Sequence, residues 1–271
     1  MSEATPLADF RETMIRKRLG VVGRLVLVLS GKGGVGKSVI SVALATILRD
    51  SGLRVGLMDA DLFGPSAALL LGARRPPEEG KEGLTPVDAD GVKIMSLDLF
   101  APGRAFPLTG EGTRQVIIEI LALTNWGKLD YLVVDMPPAT GDIMMTIASL
   151  PKKEIEAIVV VTPDVLSVSV ARRVLDILRT WKVPLTGVVG NMYHPRSGGG
   201  PERLAKEFGA KFFARLPYDR QVQEAVDAAS VGGLLRTDFG KALRRSVAKR
   251  FIGRRGLGRH GQGARKGRLR G

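Results

Sequence analysis

The sequence of 271 residues contains no cysteine. This absence excludes disulfides, cysteine zinc sites, thiol nucleophiles and iron–sulfur clusters ligated by thiolates of this chain. Long apolar runs are also missing, because near the N-terminus the longest stretch without a polar residue is Leu25–Leu29, too short to span a bilayer. Residues 1–20 are charged throughout and hold no apolar block of signal-peptide length. We therefore expect a soluble cytoplasmic protein without a transmembrane segment.

Acidic side chains are absent from residues 241–271, which hold 12 lysines and arginines. Residues 1–240 carry 29 basic and 27 acidic groups, so they account for only +2 of the formal net charge of +14. With 44% hydrophobic and 25% charged residues, the chain has enough apolar material for a full core. These numbers predict a near-neutral globular body with a cationic tail, for which nucleic acid or an anionic membrane is a candidate partner.

Short apolar strands alternate with helical segments along the body. The predicted strands are 24–30, 54–59, 92–97, 131–135, 157–162, 186–191 and 211–216, and helices are predicted at 39–49, 113–124, 165–180, 201–208 and 220–229. This alternation is typical of right-handed βαβ crossovers. We therefore expect a doubly wound α/β fold, in which a mainly parallel sheet of about seven strands carries helices on both faces.

The composition divides the chain into three parts. An N-terminal helical segment covers residues 1–23, one α/β domain covers 24–240, and a basic tail covers 241–271. The tail is predicted to begin as a helix and to continue as a disordered Arg/Gly-rich segment. Inside the domain, residues 72–91 are rich in proline, glycine and charge, which predicts a mobile surface loop.

Residues 31–38 read GKGGVGKS and fit the Walker A pattern of phosphate-binding loops. Glycines let backbone N–H groups face the phosphates, and the following helix N-terminus adds positive potential. We predict bound ATP with Mg²⁺, with Lys37 on the β- and γ-phosphates and the Ser38 hydroxyl on the metal. The predicted nucleotide contacts in and after this loop are Gly31, Gly33, Gly34, Val35, Gly36, Lys37, Ser38 and Val39.

The segment KGGVGKS resembles the deviant Walker A motif of the MinD/ParA/Mrp ATPases, which have a P-loop NTPase fold. In that family the early lysine reaches across an ATP-bound dimer to the partner's phosphates. The resemblance therefore implies a homodimer on ATP binding, in which Lys32 acts like an arginine finger. Without the resemblance, Lys32 is simply an exposed cation near an anion site.

Acidic residues follow two of the predicted strands. Residues 58–66 read MDADLFGPS, and residues 130–142 read DYLVVDMPPATGD. The carboxyl ends of parallel strands are where an α/β sheet places ligand chemistry. Asp135 is predicted to hold Mg²⁺ through water, since a buried aspartate is costly unless it is paired or faces a cation. For Asp59 and Asp61, a role in turn formation or helix capping stays open.

The motifs SGKGGVGKS, DADLFGPS and DYLVVDMPPATGD together resemble the Mrp branch of this family, which includes iron–sulfur cluster carriers. The resemblance implies that Asp61 orients the attacking water, that Asp59 supports the metal shell and that residues 138–142 form a γ-phosphate switch. It also assigns Asn191 to the adenine, although a turn-capping role is an equally open interpretation of that residue. The implied catalytic residues are Lys32, Lys37 and Asp61, and the implied metal-site residues are Ser38, Asp59 and Asp135.

The carriers of the Mrp branch have a CxxC segment after an ENM-like strand end. Here that strand ends at Gly190–Met192 and continues as YHPRSGGG, without the two cysteines. A single histidine beside an arginine is a poor metal site, so His194 is expected to be an exposed loop residue. Archaeal-type HypB proteins of nickel–iron hydrogenase maturation need no CxxC, and residues 106–135 are similar to their corresponding stretch.

These features predict a nucleotide-gated, Mg²⁺-dependent ATPase dimer that serves iron–sulfur or nickel–iron cofactor assembly without cysteine ligands of its own. Its partner would be a client metalloprotein or a metal chaperone. The alternative is a ParA/MinD-like positioning ATPase that binds DNA or membrane through residues 241–271. A third possibility is a degenerate ATP-binding regulator, because Val39 and Ala139 replace the threonine and glycine usual in the family.

Three apolar residues of the tail recur at i, i+4 and i+8, namely Leu243, Val247 and Phe251. We expect this face of the predicted helix to pack on the body while its basic side faces water. An amphipathic membrane anchor and nonspecific phosphate contacts by the Arg/Gly segment are the two other possibilities. A base-reading module is not indicated, because no aromatic residue follows Phe251.

Overall fold

The computed structural model describes residues 6–104, 110–138, 143–144, 147 and 154–252. The strands are β1 (Val22–Ser30), β2 (Val55–Asp59), β3 (Glu78–Gly80), β4 (Gly83–Thr85), β5 (Val87–Ala89), β6 (Val92–Ser96), β7 (Leu129–Asp135), β8 (Glu154–Val161), β9 (Leu185–Tyr193) and β10 (Phe212–Pro217). The helices are α1 (Pro6–Gly20), α2 (Lys37–Asp50), α3 (Ala67–Leu70), α4 (Gly110–Leu123), α5 (Val165–Thr180), α6 (Gly200–Glu207), α7 (Arg220–Asp227), α8 (Val231–Arg236) and α9 (Asp238–Val247). None of these described helices combines the length and the apolar character needed to cross a membrane.

Eight strands form one sheet in the order β10-β9-β8-β1-β7-β2-β6-β5. Paired neighbours are parallel except for β5, which runs antiparallel to β6. Because the parallel strands share one direction, their carboxyl ends meet at one edge of the sheet. In the register of β2 with β7, Asp59 lies opposite Asp135 at that edge. The predicted mainly parallel α/β sheet is confirmed, with one strand more than expected.

Apolar side chains cover both faces of the sheet, which is why its central strands read as continuous hydrophobic runs. In β1, Leu25, Leu27 and Leu29 enter one core, and Val26 and Val28 enter the other. The first core is closed by α1, α4, α5 and α6, and the second by α2, α3, α8 and α9. Helices therefore flank both faces, as the alternating pattern predicts.

The N-terminal helix α1 packs on α4. Arg11 donates a hydrogen bond to Gln115 at 2.8 Å and forms an ion pair with Glu119 at 2.5 Å. Ile15 and Leu19 are buried in the core. Of the expected N-terminal segment 1–23, residues 1–5 lie outside the described residues, and β1 already begins at Val22.

The expectation of a loop over residues 72–91 is wrong. β3 and β4 pair as an antiparallel hairpin, and β5 pairs with β6 through Ala89 opposite Val92. The turn between β5 and β6 consists of Asp90 and Gly91, both at positive φ (51° and 83°). Two such residues form the tight turn whose twist suits antiparallel strands, and Asp-Gly is its usual sequence signal. The proline, glycine and charged residues of 72–91 therefore belong to short strands and the turns that connect them.

Helix α9 starts at Asp238, with Thr237 as its N-cap, and thus begins before the boundary expected at residue 240. Residues 248–252 continue it as one π-helical turn. The apolar face is buried, with exposed fractions of 1%, 0% and 8% for Leu243, Val247 and Phe251. This confirms the packing predicted from their spacing. Residues 253–271, for which we expect disorder, lie outside the described residues.

Candidate nucleotide site

The phosphate loop, residues 31–38, connects β1 at the centre of the sheet to α2. Gly34 and Gly36 have φ values of +75° and +82°, a region that glycine adopts without steric cost. A Cβ added to Gly36 would lie 2.4 Å from Asn191 Nδ2, and one added to Gly31 would lie 2.7 Å from the backbone of α5. Backbone conformation and close approach thus explain Gly31, Gly34 and Gly36, whereas Gly33 has neither a positive φ nor a close neighbour.

Lys37 and Asp135 form a buried ion pair at this loop. Lys37 Nζ lies 2.7 Å from Asp135 Oδ1, and the side chains are 7% and 0% exposed. Ser41 donates a second hydrogen bond to the same oxygen at 2.8 Å. Asp135 Oδ2 is buried and has no hydrogen-bond partner within the described part of the chain. Since an unpartnered buried carboxylate oxygen is costly, this atom is suited to face a cation.

The donor set at this place suits Mg²⁺. The hydroxyl oxygen of Ser38 lies 3.4 Å from Lys37 Nζ, next to the ion pair. Mg²⁺ prefers oxygen ligands and is usually bound through one or two protein groups together with substrate phosphates. Ser38 and Asp135 are therefore the residues that would hold this ion.

Asp59 organises the segment that follows β2. Its Oδ1 accepts a hydrogen bond from the Asp61 N–H at 3.2 Å, and its Oδ2 accepts bonds from the Ser66 and Ala67 N–H groups at 3.0 Å. Burial, and next the charge of Asp135, raise the pKa of Asp59 to about 7, although the N–H donors oppose this. The turn and capping contacts that the sequence left open are thus present, and a role in the metal shell stays a prediction.

A pocket of 340 Å³ brings several of the predicted residues together. It is lined by loop residues including Lys32, Lys37 and Ser38, by Val39, and by Asp61 and Pro138. Asp61 is partly exposed, and its Oδ1 accepts a hydrogen bond from the Gly64 N–H at 3.2 Å. Residues 139–142 of the expected switch segment lie outside the described residues.

Lys32 is held within its own chain by Asp164, the N-cap of α5. Lys32 Nζ lies 3.0 Å and 3.2 Å from the two carboxylate oxygens. Partial burial raises the pKa of Asp164, but hydrogen bonds from Thr162 and the Ser167 N–H, together with Lys32, outweigh it and lower the pKa to about 2. Asp164 is not among the site residues predicted from the sequence, although an aspartate three residues after a buried strand and before a helix is a signal for an N-cap.

Asn191 is buried against the phosphate loop, with 3% of its surface exposed. Its Nδ2 donates a hydrogen bond to the carbonyl oxygen of Val35 at 2.8 Å, so this side chain supports the loop backbone. An adenine contact by Asn191 stays a prediction. His194 is exposed, as expected, and its ring stacks on Tyr218 with centroids 4.5 Å apart.

The central strand, its glycine-rich loop and the strand-end aspartate have the arrangement of P-loop NTPases, and the doubly wound parallel sheet is the fold of that class. The chain belongs to the ParA family, because residues 21–248 match the family model described as the NUBPL iron-transfer P-loop NTPase. This result confirms the MinD/ParA/Mrp type that the loop and strand-end motifs indicate.

Relatives of this chain share the name iron–sulfur cluster carrier protein. One from Methanocaldococcus jannaschii is 35% identical over 263 residues, covering 88% of this chain and 89% of the relative. Another from Deinococcus radiodurans is 36% identical over 248 residues, covering 86% of this chain and 70% of the relative. These matches confirm the Mrp branch.

Solved structures share the fold. The nucleotide-binding protein of Archaeoglobus fulgidus, solved in complex with ADP, superposes with a TM-score of 0.70 at 30% identity, covering 81% of this chain and 92% of that one. The cell division ATPase MinD of Pyrococcus furiosus gives a TM-score of 0.63 at 21% identity, covering 84% and 98%. At that identity, the second likeness concerns the fold alone.

Proposed function

We propose that this protein binds ATP at the phosphate loop and hydrolyses it with Mg²⁺. The observation that carries the proposal is the buried pair of Lys37 and Asp135, with one carboxylate oxygen left for a cation. A bound Mg–nucleotide would contact both side chains, because a P-loop lysine binds the phosphates and a strand-end aspartate holds the metal. The ADP complex of the A. fulgidus protein, at 30% identity, supports a nucleotide at this place.

In the proposed reaction, Lys37 leaves Asp135 and binds the β- and γ-phosphates. Asp135 and Ser38 would hold Mg²⁺, which would supply positive charge that neutralises the phosphates. Asp61, on the wall of the same pocket, accepts a hydrogen bond from the attacking water and orients it toward the γ-phosphorus. The new P–O bond forms as the bond to the bridging oxygen breaks, so ADP and inorganic phosphate are released.

We further propose that ATP gates a homodimer, in which Lys32 exchanges its own Asp164 for the phosphates bound by the partner subunit. The exposed end of the Lys32 side chain and its pairing with a single surface carboxylate support this role, because such an ion pair is easily exchanged. Charge supplied across the interface would then stabilise the transition state, and hydrolysis would release the dimer.

The proposed process is metallocofactor assembly, supported by relatives that carry the name of iron–sulfur cluster carriers. The absence of cysteine means that thiols for an iron–sulfur cluster would come from a client or chaperone. The second route, enhancement of metal delivery in nickel–iron hydrogenase maturation, rests on the similarity of residues 106–135 to archaeal-type HypB proteins. In both routes the chain supplies the nucleotide-driven clamp, and the partner supplies the metal ligands.

A direct test combines turnover with metal loading. Phosphate release by the full chain should require both ATP and Mg²⁺ and should stop in Lys37→Ala. Anaerobic addition of iron and sulfide should produce no protein-bound cluster chromophore on the chain alone, but should do so with a thiol-bearing partner. Failure to hydrolyse Mg–ATP would refute the enzymatic proposal and favour a degenerate nucleotide-binding regulator.

The alternative function is a positioning ATPase that binds DNA or membrane through residues 241–271. The observation in its favour is the 12 basic and no acidic side chains of that segment. Such an ATPase would bind its surface only in the ATP-bound dimer. Binding to DNA or anionic vesicles with ATP, but not with ADP, would therefore favour this alternative over cofactor assembly.

A further inference from the structure

A groove of 610 Å³ lies between helix α1, the last turns of helix α4 and the β3–β4 hairpin. Three apolar side chains and three cations of its lining are Phe10, Met14, Leu123, Lys17, Arg18 and Lys81. Phe10, Met14 and Lys17 are spaced at i, i+4 and i+7, so they lie on one face of α1. We call the surface formed by these six residues the α1 groove.

Arg18 and Gly83 fix the hairpin to the two helices. The Arg18 guanidinium donates hydrogen bonds to the carbonyl oxygen of Glu82 and, at 3.4 Å, to that of Ala122 near the end of α4. Gly83 has a φ of +104°, and a Cβ at this position would overlap the carbonyl oxygen of Leu123. Glycine is the residue that this backbone conformation and this close approach require. The groove is therefore built into the fold before any partner binds.

The groove carries more positive charge than its own carboxylates neutralise. Its lining holds four cations and two carboxylates, and one of the cations, Arg11, is paired with Glu119. Lys17, Arg18 and Lys81 form no ion pair with a carboxylate in the described part of the chain. Arg18 is only 6% exposed, and both of its hydrogen-bond acceptors are neutral carbonyl oxygens. Since a buried charge is costly without a counter-charge, a partner that brings carboxylates fits this place.

Large apolar side chains of the groove face solvent. Phe10 is 64% exposed and Leu123 is 44% exposed. A single exposed apolar residue is ordinary, but here an aromatic ring and a leucine border the same groove. Protein interfaces combine apolar and aromatic anchors with a polar rim, whereas pockets for small molecules enclose most of their ligand. The open α1 groove therefore suits side chains of another protein.

The α1 groove lies toward the edge of the sheet opposite the phosphate loop. Helix α1 leads into the start of β1 at Val22, and α4 ends before the start of β7 at Leu129. The phosphate loop follows the other end of β1 at Ser30, and that strand of 9 residues spans roughly 26 Å. None of the six residues of the groove lines the pocket at the phosphate loop. A partner in the groove and a nucleotide at the loop can therefore be bound at the same time.

We propose that the α1 groove binds a segment of a partner protein that carries acidic and apolar side chains, with or without nucleotide at the phosphate loop. Apolar side chains of the segment pack on Phe10 and Leu123. Its carboxylates neutralise Lys17, Arg18 and Lys81. This interaction surface is separate from the proposed ATP-gated dimer, and it does not rest on the proposed ATPase function.

The test begins with a library of random peptides displayed on phage and selected on the full-length chain. Bound phage are then passed over Phe10→Ala/Leu123→Ala, which removes every peptide that binds elsewhere, including acidic peptides attracted by the basic tail. Peptides that remain should contain apolar residues and an excess of aspartate and glutamate over lysine and arginine. Failure to recover any peptide that needs the groove would overturn the proposal, as would recovered peptides without an acidic excess.

A recovered peptide, labelled with fluorescein, then measures the role of charge by fluorescence anisotropy. Lys17→Gln/Lys81→Gln should weaken its binding by up to about 25-fold, or about fivefold for each exposed ion pair lost. The matched control is Lys206→Gln/Lys211→Gln, which removes two exposed lysines elsewhere on the chain and should leave the affinity nearly unchanged. Lys17→Glu/Lys81→Glu should instead bind the peptide in which lysine replaces each aspartate and glutamate. Equal losses in the groove variant and the control would contradict the charge argument.

The apolar contacts have a matched control in Val165→Ala/Leu166→Ala, because these side chains of α5 are 83% and 72% exposed. This control should bind the peptide like the parental chain, whereas Phe10→Ala/Leu123→Ala should bind it at least about tenfold more weakly. Mg–ATP and Mg–ADP should not alter the parental affinity, and binding that needs either nucleotide would overturn the proposal. So would groove-dependent binding to phosphatidylserine vesicles in place of peptides. Mg–ATP hydrolysis, measured on the same samples, reports separately on the proposed function.

Discussion

Lys37 Nζ lies 2.7 Å from Asp135 Oδ1, so the lysine expected on the phosphates is paired with the carboxylate expected at the metal. Each side chain neutralises the charge of the other in a buried place, where an isolated charge would be costly. In the proposed reaction, binding of Mg–ATP would exchange both partners together, with phosphates replacing the carboxylate and a cation replacing the lysine. The pair would therefore link nucleotide binding to metal binding.

Lys37→Ala should abolish ATP binding and also destabilise the fold. The substitution leaves Asp135 buried without a counter-charge, which costs about 3–5 kcal/mol in the free energy of unfolding. Urea unfolding and titration with a fluorescent ATP analogue measure the two effects. In the double variant Lys37→Ala/Asp135→Asn, much of the stability should return while ATP binding stays abolished. Equal stability of the single variant and the parent would contradict the ion-pair argument.

Asp164→Asn should lower the protein concentration at which dimer-dependent ATP hydrolysis occurs. Asparagine keeps the N-cap of α5 but removes the charge that holds Lys32 in its own subunit. Since an exposed ion pair contributes up to about 1 kcal/mol and each dimer would break two of them, the subunit concentration for half-maximal ATPase activity should fall by up to about 30-fold. The control is Asp219→Asn, which changes the N-cap of α7 in the same way. An unchanged or higher half-maximal concentration in Asp164→Asn would show that this carboxylate does not restrain Lys32.

The Asp164 carboxyl should titrate at about pH 2, since its pKa is lowered from the ordinary 3.8. For a group whose folded pKa is depressed, the stabilisation is present above the ordinary pKa. It is lost as the pH falls from about 4 through about 2. In Lys32→Ala, the pKa of Asp164 should rise because one cause of the depression is removed. Carboxyl-carbon NMR titration measures both values, and an identical pKa in the two proteins would argue against the ion pair in solution.

Asn191→Ala separates the two interpretations of that residue. If the side chain contacts adenine, ATP affinity should fall more than GTP affinity, because only the adenine complex loses a base hydrogen bond of about 1 kcal/mol. If it only supports the carbonyl of Val35, both affinities should fall by the same factor. Competition binding with the two nucleotides decides between these outcomes, and a selective loss of ATP affinity would assign Asn191 to the adenine.

Asp61→Ala should retain ATP binding while turnover stops, because the phosphate contacts stay and the group that orients water is removed. The dimer should then persist with ATP, as measured by light scattering. Asp98→Ala is a matched control, since Asp98 is also partly exposed and accepts a hydrogen bond from a loop glycine N–H, that of Gly103 at 2.9 Å. Turnover by Asp61→Ala at the parental rate would refute the water-orienting role.

The α/β class and the phosphate loop were predictable because their signals are local. Apolar runs such as Leu25–Leu29 and the fixed spacing of GKGGVGKS need no knowledge of distant residues. The burial of Leu243, Val247 and Phe251 followed from helical periodicity for the same reason. The Asp-Gly pair at residues 90–91 is also a local signal, typical of a tight turn between two strands. The loop prediction for this region rested instead on the proline, glycine and charge of residues 72–91.

The contacts that escaped prediction join residues far apart in the sequence. Lys32 and Asp164 are separated by 132 positions, and Lys37 and Asp135 by 98. The sequence motifs predict that Lys37 binds phosphate and that Asp135 binds the metal. That these two residues pair with each other is visible only in the folded structure. The same holds for Arg250 and Glu156, whose pairing depends on how α9 packs across the sheet.

The central claim is that an ATP-bound form of this chain captures a partner that supplies the metal ligands. The most direct measurement is affinity purification of Asp61→Ala with Mg–ATP and, in parallel, with Mg–ADP, followed by protein identification and metal analysis. We predict that a cysteine-containing metalloprotein or a metal chaperone is retained, together with iron or nickel, in the Mg–ATP sample and not in the Mg–ADP sample. The same proteins and metals with ATP and with ADP, or ATP-dependent retention of chromosomal DNA alone, would contradict the account.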